Sequence, residues 1–154
     1  MTTPNRGPSV AEAERAEQQS TTALAVSVVM PAFNEAEILE SSVRAVVDGL
    51  RSRGRNFELI VVENGSTDGT AAIADQLASA EPEVRAEHRD EADYGRALRA
   101  GLLSAGGDAV VNFDVDFYDL AFLTSAVERV LAPDGPAIVV GTKRGEGATE
   151  AVAS

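Results

Sequence analysis

Ala109-Val110-Val111-Asn112-Phe113-Asp114-Val115-Asp116 is the stretch on which the reading of this chain turns. An apolar run of strand length that ends in two carboxylates predicts a buried strand with its acids at one end. The side-chain period of an extended backbone is two, so Asp114 and Asp116 are expected on the same side. Like charges that close repel unless a cation or a donor lies between them. A hard divalent cation carrying phosphate oxygens meets that need, and an all-oxygen ligand set favours magnesium or manganese over zinc. Asp116 is read as the direct ligand and Asp114 as a contact to ribose or metal. A bare D-x-D pair is common, and a solvated strand end with an Asp helix cap is the competing reading.

The flanking runs supply the frame. Ala25-Val26-Ser27-Val28-Val29-Met30 reads as a first strand ended by Pro31. Asn34 and Glu37 have capping-box spacing, and Leu39, Val43, Val46, Val47 and Leu50 fall on one helical stripe behind them. Phe57-Glu58-Leu59-Ile60-Val61-Val62 reads as a second strand. The turn Glu63-Asn64-Gly65-Ser66-Thr67-Asp68-Gly69-Thr70 follows, then a short helix presenting Ile73, Ala74, Leu77 and Ala78. Val84 to Glu87 predicts a short third strand. Tyr94, Ala97, Leu98, Gly101, Leu102 and Ala105 mark another helical face, which Gly106-Gly107 stops. Past Asp116, a helix over Leu120 to Leu131 is broken by Pro133 and Gly135, and Ala137-Ile138-Val139-Val140-Gly141 reads as a last strand.

Apolar strands alternating with helices predict an α/β fold of three layers, α/β/α, around a mainly parallel sheet. Ligands of such open sheets bind beyond the carboxyl ends of the strands, where strand order reverses. Pro31-Ala32-Phe33-Asn34-Glu35, the Glu63 turn and Asp114-Val115-Asp116 all occupy such ends. The domain is expected over residues 23–144, between an N-terminal tail of 1–22, polar and without a signal-peptide core, and a flexible tail of 145–154.

The 154 residues are 44% hydrophobic, which suits one domain with a real core. With 25 acidic and 13 basic residues the net charge is −12, which argues against a nucleic-acid partner held on a basic surface. An anionic ligand would then need a metal, a helix N-terminus or a few local cations. There is no cysteine, so neither a disulfide nor a thiolate metal site is available, which fits a reducing compartment. No run approaches the roughly 20 apolar residues of a membrane span.

Ser66 to Thr70 reads as strand-to-helix turn chemistry, with glycines for backbone freedom and Ser66, Thr67 or Asp68 as caps. That does not account for Glu63, a carboxylate at the mouth of the sheet able to accept an N–H from a nucleobase edge. The turn is neither a P-loop nor a G-x-G-x-x-G loop. Glu35 fits both a solvated first-turn acid and a ligand contact. Arg96, in a segment that opens a helix, fits a surface cation or a phosphate partner. His88, with no triad partner in view, reads as an ordinary loop residue, and Lys143-Arg144 as a solvated pair or an anion clamp.

Four motifs in order resemble the family 2 glycosyltransferases of the GT-A fold. They are Val28-Val29-Met30-Pro31-Ala32-Phe33-Asn34-Glu35, Val62-Glu63-Asn64-Gly65-Ser66-Thr67-Asp68-Gly69-Thr70, Tyr94-Gly95-Arg96-Ala97-Leu98-Arg99-Ala100-Gly101 and Asn112-Phe113-Asp114-Val115-Asp116. Within that family the chain is most similar to the polyprenyl-phosphate sugar synthases, such as dolichyl-phosphate mannosyltransferase. The resemblance implies a Rossmann-like core in which Pro31, Phe33 and Glu35 line the nucleotide site. Glu63 would contact the base where the family usually has Asp, and Arg96 would stand near the donor. Asp114 and Asp116 would bind the diphosphate through magnesium or manganese, with Asp116 in the catalytic role. Tyr118 replaces a Gln that the branch uses as a further metal ligand. Asp119 matches an acidic position that often follows, and Leu120 and Ala121 replace prolines.

The expected activity is metal-dependent, inverting transfer of a sugar from a GDP- or UDP-sugar to an acceptor, with a polyprenyl phosphate as candidate. The alternative is a truncated nucleotide-sugar-binding module without turnover. The chain stops soon after Lys143-Arg144, so the acceptor half is expected to be missing, or supplied by a partner chain. Cytoplasmic location, peripheral at a membrane, accompanies this reading.

Overall fold

The computed structural model describes residues 25–141 and the backbone of 151–153. The expected tail of 1–22, the pair Lys143-Arg144 and residues 145–150 lie outside the described residues. The elements run β1 (Val26–Ala32), α1 (Leu39–Arg51), β2 (Phe57–Asn64), α2 (Thr70–Ala80), β3 (Val84–Arg89), α3 (Tyr94–Ser104), β4 (Ala109–Asn112), α4 (Leu120–Val130), β5 (Ile138–Val140) and β6 (Ala151–Ala153). Four strands form a parallel sheet in the order β3-β2-β1-β4. β5 and β6 form a separate antiparallel pair, so the last predicted strand does not join the main sheet.

The period of two sorts the strand residues onto two faces. Val26, Val28 and Met30 of β1 and Leu59 and Val61 of β2 pack with Leu39, Val43, Val46, Val47 and Leu50 of α1, and with Ala74, Leu77, Leu123 and Val127 of α2 and α4. The alternate residues Val29, Ile60 and Val62 pack on the other face against Ala97 of α3. Both faces of the sheet are covered, which is why β1 and β2 are buried along their whole length. α3 lies close to the sheet at Gly101, where a Cβ would come within 2.4 Å of Val29 Cγ1. No helix among the described residues is long and apolar enough to cross a membrane.

A polar staple fixes the amino-terminal edge of the sheet. Ser27 and Glu58 are in register on β1 and β2, and Ser27 Oγ donates to Glu58 Oε1 at 2.6 Å. Gly106 N donates to the same carboxylate and Gly107 N to Ser27 Oγ, both at 2.8 Å, while Arg85 Nε of β3 reaches Glu58 Oε2 at 3.0 Å. Burial opposes ionisation of Glu58, but these donors outweigh it and hold the carboxyl below its ordinary value. One acid thereby ties β1, β2, β3 and the loop into β4 together, and this staple leaves the opposite edge to carry the site.

Three local expectations change. β1 continues through Pro31 to Ala32, with Pro31 opposite Val62. Val29 accepts from Phe113 N, so Pro31, two residues on, faces the same side, beyond the last β4 residue paired with β1. Its missing N–H therefore breaks no ladder bond there. The predicted capping box is absent: α1 begins at Leu39 with Ile38 at the N-cap and no side-chain cap. Asn34 instead sits in the left-handed region at φ 54°, where its short polar side chain is tolerated. Finally, Asp114-Val115-Asp116 is not extended. β4 pairs with β1 only as far as Asn112, and the chain then folds into a turn closed by Phe117 N donating to Asp114 O at 3.1 Å.

Candidate active site

β1, β2 and β3 step across the sheet in one direction, and β4 returns to the far side of β1. The order therefore reverses between β1 and β4, and the crevice beyond their carboxyl ends is where such sheets bind ligands. The first and third motifs of the strand ends meet there. Phe113 and Val115 point into the core, 5% and 2% exposed, which turns Asp114 and Asp116 outward from a firmly anchored turn. Asp116 is exposed and Asp114 half-buried. Asp119, downstream, accepts from Ala121 N and Phe122 N and so caps α4.

Glu35 faces this turn. Its carboxyl is raised above its ordinary value by partial burial, then by the charge of Asp116 and that of Asp68. The loop carrying Glu35 and the turn carrying Asp116 follow the adjacent strands β1 and β4, and carboxylates gathered at one strand end are an arrangement a cation relieves. Glu35 is held there by a stitched pair of loops. Asn34 N donates to Ser66 Oγ at 3.0 Å, Glu35 N to Thr70 Oγ1 at 2.9 Å and Ala36 N to Asp68 Oδ2 at 3.2 Å. Thr67 N in turn donates to Asn34 Oδ1 at 2.8 Å. The residues expected to cap helices thus clamp the β1–α1 loop onto the β2–α2 loop.

Glu63 belongs to β2 rather than to the turn after it, opposite Ala32 of β1, and is 4% exposed. Ser66 N donates to its Oε1 at 2.6 Å, and His88 Nδ1 lies 3.3 Å from its Oε2. Burial opposes its ionisation, but the Ser66 amide and hydroxyl and His88 prevail and hold the carboxyl below its ordinary value. His88 is a strand residue of β3, not the loop residue expected, and its Nε2 lies 2.8 Å from Asp75 Oδ1. Asp75 and then Glu63 raise the imidazole above 6.5, against burial. A raised folded value stabilises the protein below the unfolded value and ceases to do so as pH rises through the folded one. For Glu63 the contribution is present above 4.5 and is lost as pH falls through its lowered value. The midpoint difference between wild type and His88→Ala should therefore be largest between 4.5 and 6.5 and shrink at higher pH, as thermal unfolding across a pH series would register.

Other expected site residues are placed as follows. Pro31 is buried in β1, and Phe33 stands 45% exposed just beyond it, at the rim. Arg96 lies in the first turn of α3 and pairs at 3.4 Å with Glu91 and with Asp93, rather than with the carboxylates of the crevice. Tyr94 is the site residue that the sequence reading missed. Its hydroxyl donates to Asp114 Oδ1 at 2.9 Å and lies 3.3 Å from Asn112 Nδ2, which donates to it. A tyrosine at the start of a helix carries no signal of this, since the contact depends on where α3 lies relative to β4.

Among the described residues no three Asp, Glu or His side chains converge into a ready-made metal cage. The two carboxylates of the turn, Asp114 and Asp116, could hold a hard cation only if it drew the rest of its ligands from phosphate oxygens and water. Magnesium and manganese meet that description, and the all-oxygen donor set disfavours zinc.

The model of "Glycosyl transferase family 2" matches residues 27–151. Glycosyltransferase AglD of Haloferax volcanii is 43% identical over 109 residues, 68% of this chain and 18% of that protein. Mannosyltransferase PcManGT from Pyrobaculum calidifontis, solved in complex with GDP-Man and Mn2+, superposes with a TM-score of 0.61 at 28% identity, over 73% of this chain and 34% of that one. Glucosyl-3-phosphoglycerate synthase from Mycobacterium tuberculosis, solved with Mn2+, UDP and glucosyl-3-phosphoglycerate, gives 0.56 at 31% identity, over 88% of this chain and 48% of that one. The chain spans less than half the length of each of these proteins. With its parallel α/β sheet of GT-A type and a family match covering most of its length, the chain belongs to glycosyl transferase family 2.

Proposed function

We propose that this chain binds a GDP- or UDP-sugar through a divalent cation and transfers the sugar, with inversion, to an acceptor oxygen. The observation that carries the proposal is the placement of the Glu35 loop and the Asp114–Asp116 turn beyond the adjacent strands β1 and β4, where strand order reverses, with Glu63 at the end of the neighbouring β2. Asp114 and Asp116 would hold magnesium or manganese. When bound, the cation would neutralise charge on the diphosphate. Phe33, Glu35 and Pro31 would line the nucleotide, and Glu63 would accept an N–H from the base edge. Arg96 would reach the donor only by leaving Glu91 and Asp93, which its exposed position permits. Asp116, the more exposed carboxylate of the turn, would take the catalytic role.

In the transfer, an acceptor oxygen attacks the anomeric carbon opposite the leaving group. The bond from that carbon to the diphosphate oxygen breaks, and nucleoside diphosphate departs. A polyprenyl phosphate is the acceptor this reading favours. Its oxygen is already ionised near neutral pH, so no general base is required, and none is assigned among the described residues. Such an acceptor would bring the chain to a membrane surface from the cytoplasmic side, as a peripheral protein. A second reading is a nucleotide-sugar-binding module without turnover of its own. In that case a partner chain would supply the acceptor half.

Release of nucleoside diphosphate separates the two readings. GDP- and UDP-sugars are incubated with the chain, manganese and a polyprenyl phosphate. Release that depends on the lipid phosphate is the expected result, whereas donor binding with neither release nor hydrolysis would leave the module.

A further inference from the structure

The geometry points to Tyr94 as a positioning residue for the cation site: its hydroxyl fixes Asp114 in the orientation in which that carboxylate takes a divalent cation. The inference rests on the metal reading above and adds a residue to it.

Tyr94 is the first residue of α3, and α3 is registered against the sheet on two sides. Asp93, the N-cap, accepts from Arg96 N at 2.9 Å, and its own N–H donates to Asn64 Oδ1 at the end of β2, also at 2.9 Å. Along the helix, Ala97 packs on Val29, Ile60 and Val62, and Gly101 allows the close approach. The tyrosine ring is therefore carried by an element fixed to β1 and β2, while Asp114 is carried by the turn after β4. The hydroxyl spans the two. It has one hydrogen, which goes to Asp114 Oδ1, and it accepts from Asn112 Nδ2. Asn112 is the last residue of β4, so the phenol oxygen is held from the strand as well as from the helix.

A ligating carboxylate whose outer oxygen is held by a fixed donor loses less rotamer freedom when it takes a cation. Asp116 sits at the exposed corner of the same turn, so the pair gains most from anchoring Asp114. The tyrosine is 50% exposed, so loss of its hydroxyl alone leaves the core untouched.

The test compares wild type, Tyr94→Phe and Asp116→Ala in calorimetric titrations of manganese chloride, in the presence of GDP or UDP, alongside thermal midpoints without metal. Tyr94→Phe is expected to weaken manganese binding about tenfold or more, with its metal-free midpoint unchanged. Unchanged manganese affinity in Tyr94→Phe, with the loss in Asp116→Ala intact, would overturn the role of Tyr94 and leave the metal reading standing. A lowered midpoint with unchanged manganese affinity would overturn it too, as a structural contact. If Asp116→Ala also binds manganese like wild type, the metal reading itself fails and this inference with it.

Discussion

Asp116→Ala is expected to abolish manganese-dependent binding of GDP or UDP, a loss of at least about 100-fold, because on the proposed reading it would remove a cation ligand and not merely a group that supports one. The same substitution should leave stability intact. Asp116 is exposed, at the corner of a turn anchored by Phe113 and Val115 rather than by the acid itself. Its charge also opposes that of Glu35, so removing it relieves a repulsion. Substitutions at such positions move stability by no more than about 0.5 kcal/mol. The combination discriminates: a variant that has lost the nucleotide but kept its thermal midpoint has lost a ligand contact, not its fold. Isothermal calorimetry with and without manganese measures the first quantity and a thermal melt the second. Wild-type affinity in the variant would remove Asp116 from the site.

The second large effect is expected at Glu63, and the structure changes how it must be tested. Glu63 is buried and engages Ser66 N and His88. Glu63→Ala would leave that amide without its carboxylate, at a cost of about 2 kcal/mol, and would loosen the turn that clamps Asn34, Glu35 and Ala36. Glu63→Gln keeps an acceptor for Ser66 and the shape of the side chain, while removing the charge and one acceptor oxygen. With Glu63→Gln, nucleoside affinity should fall by about tenfold or more while affinity for inorganic diphosphate with manganese stays within about twofold. Competition titrations with nucleoside, nucleoside diphosphate and pyrophosphate separate the two. Equal losses for both would make Glu63 an anchor of the loops and not a contact to the base.

The frame of this chain was readable because burial on both faces leaves a strong signature. β1 and β2 are apolar runs, and the stripe of α1 from Leu39 to Leu50 is buried residue for residue. The strand ends were readable as polar motifs, and the fold brings the first and third of them to one switch point. What the sequence hid was local or tertiary. Asn34 and Glu37 have the spacing of a capping box, but Thr67 claims the Asn34 side chain from another loop and α1 starts later. Asp114 and Asp116 were expected on an extended backbone, yet β1 offers no pairing past Val29 on that side to keep them so. Tyr94 and His88 act through partners 20 and 25 residues away, a distance at which no periodicity carries information. Arg96 was read as a candidate donor contact, but two nearby acids hold it at the helix start.

The central claim is that the Asp114–Asp116 turn, faced by Glu35, holds a cation that in turn holds a diphosphate. Thermal unfolding of the wild-type chain with GDP and with UDP, each in manganese and in EDTA, tests it most directly. At about 100 times the dissociation constant a bound nucleotide adds about 2.7 kcal/mol of stability, which for a chain of this size raises the midpoint by roughly 5–10 °C. The rise is expected with at least one of the two nucleotides in manganese and with neither in EDTA. An equal rise in EDTA, or no rise with either nucleotide in manganese, would contradict the claim.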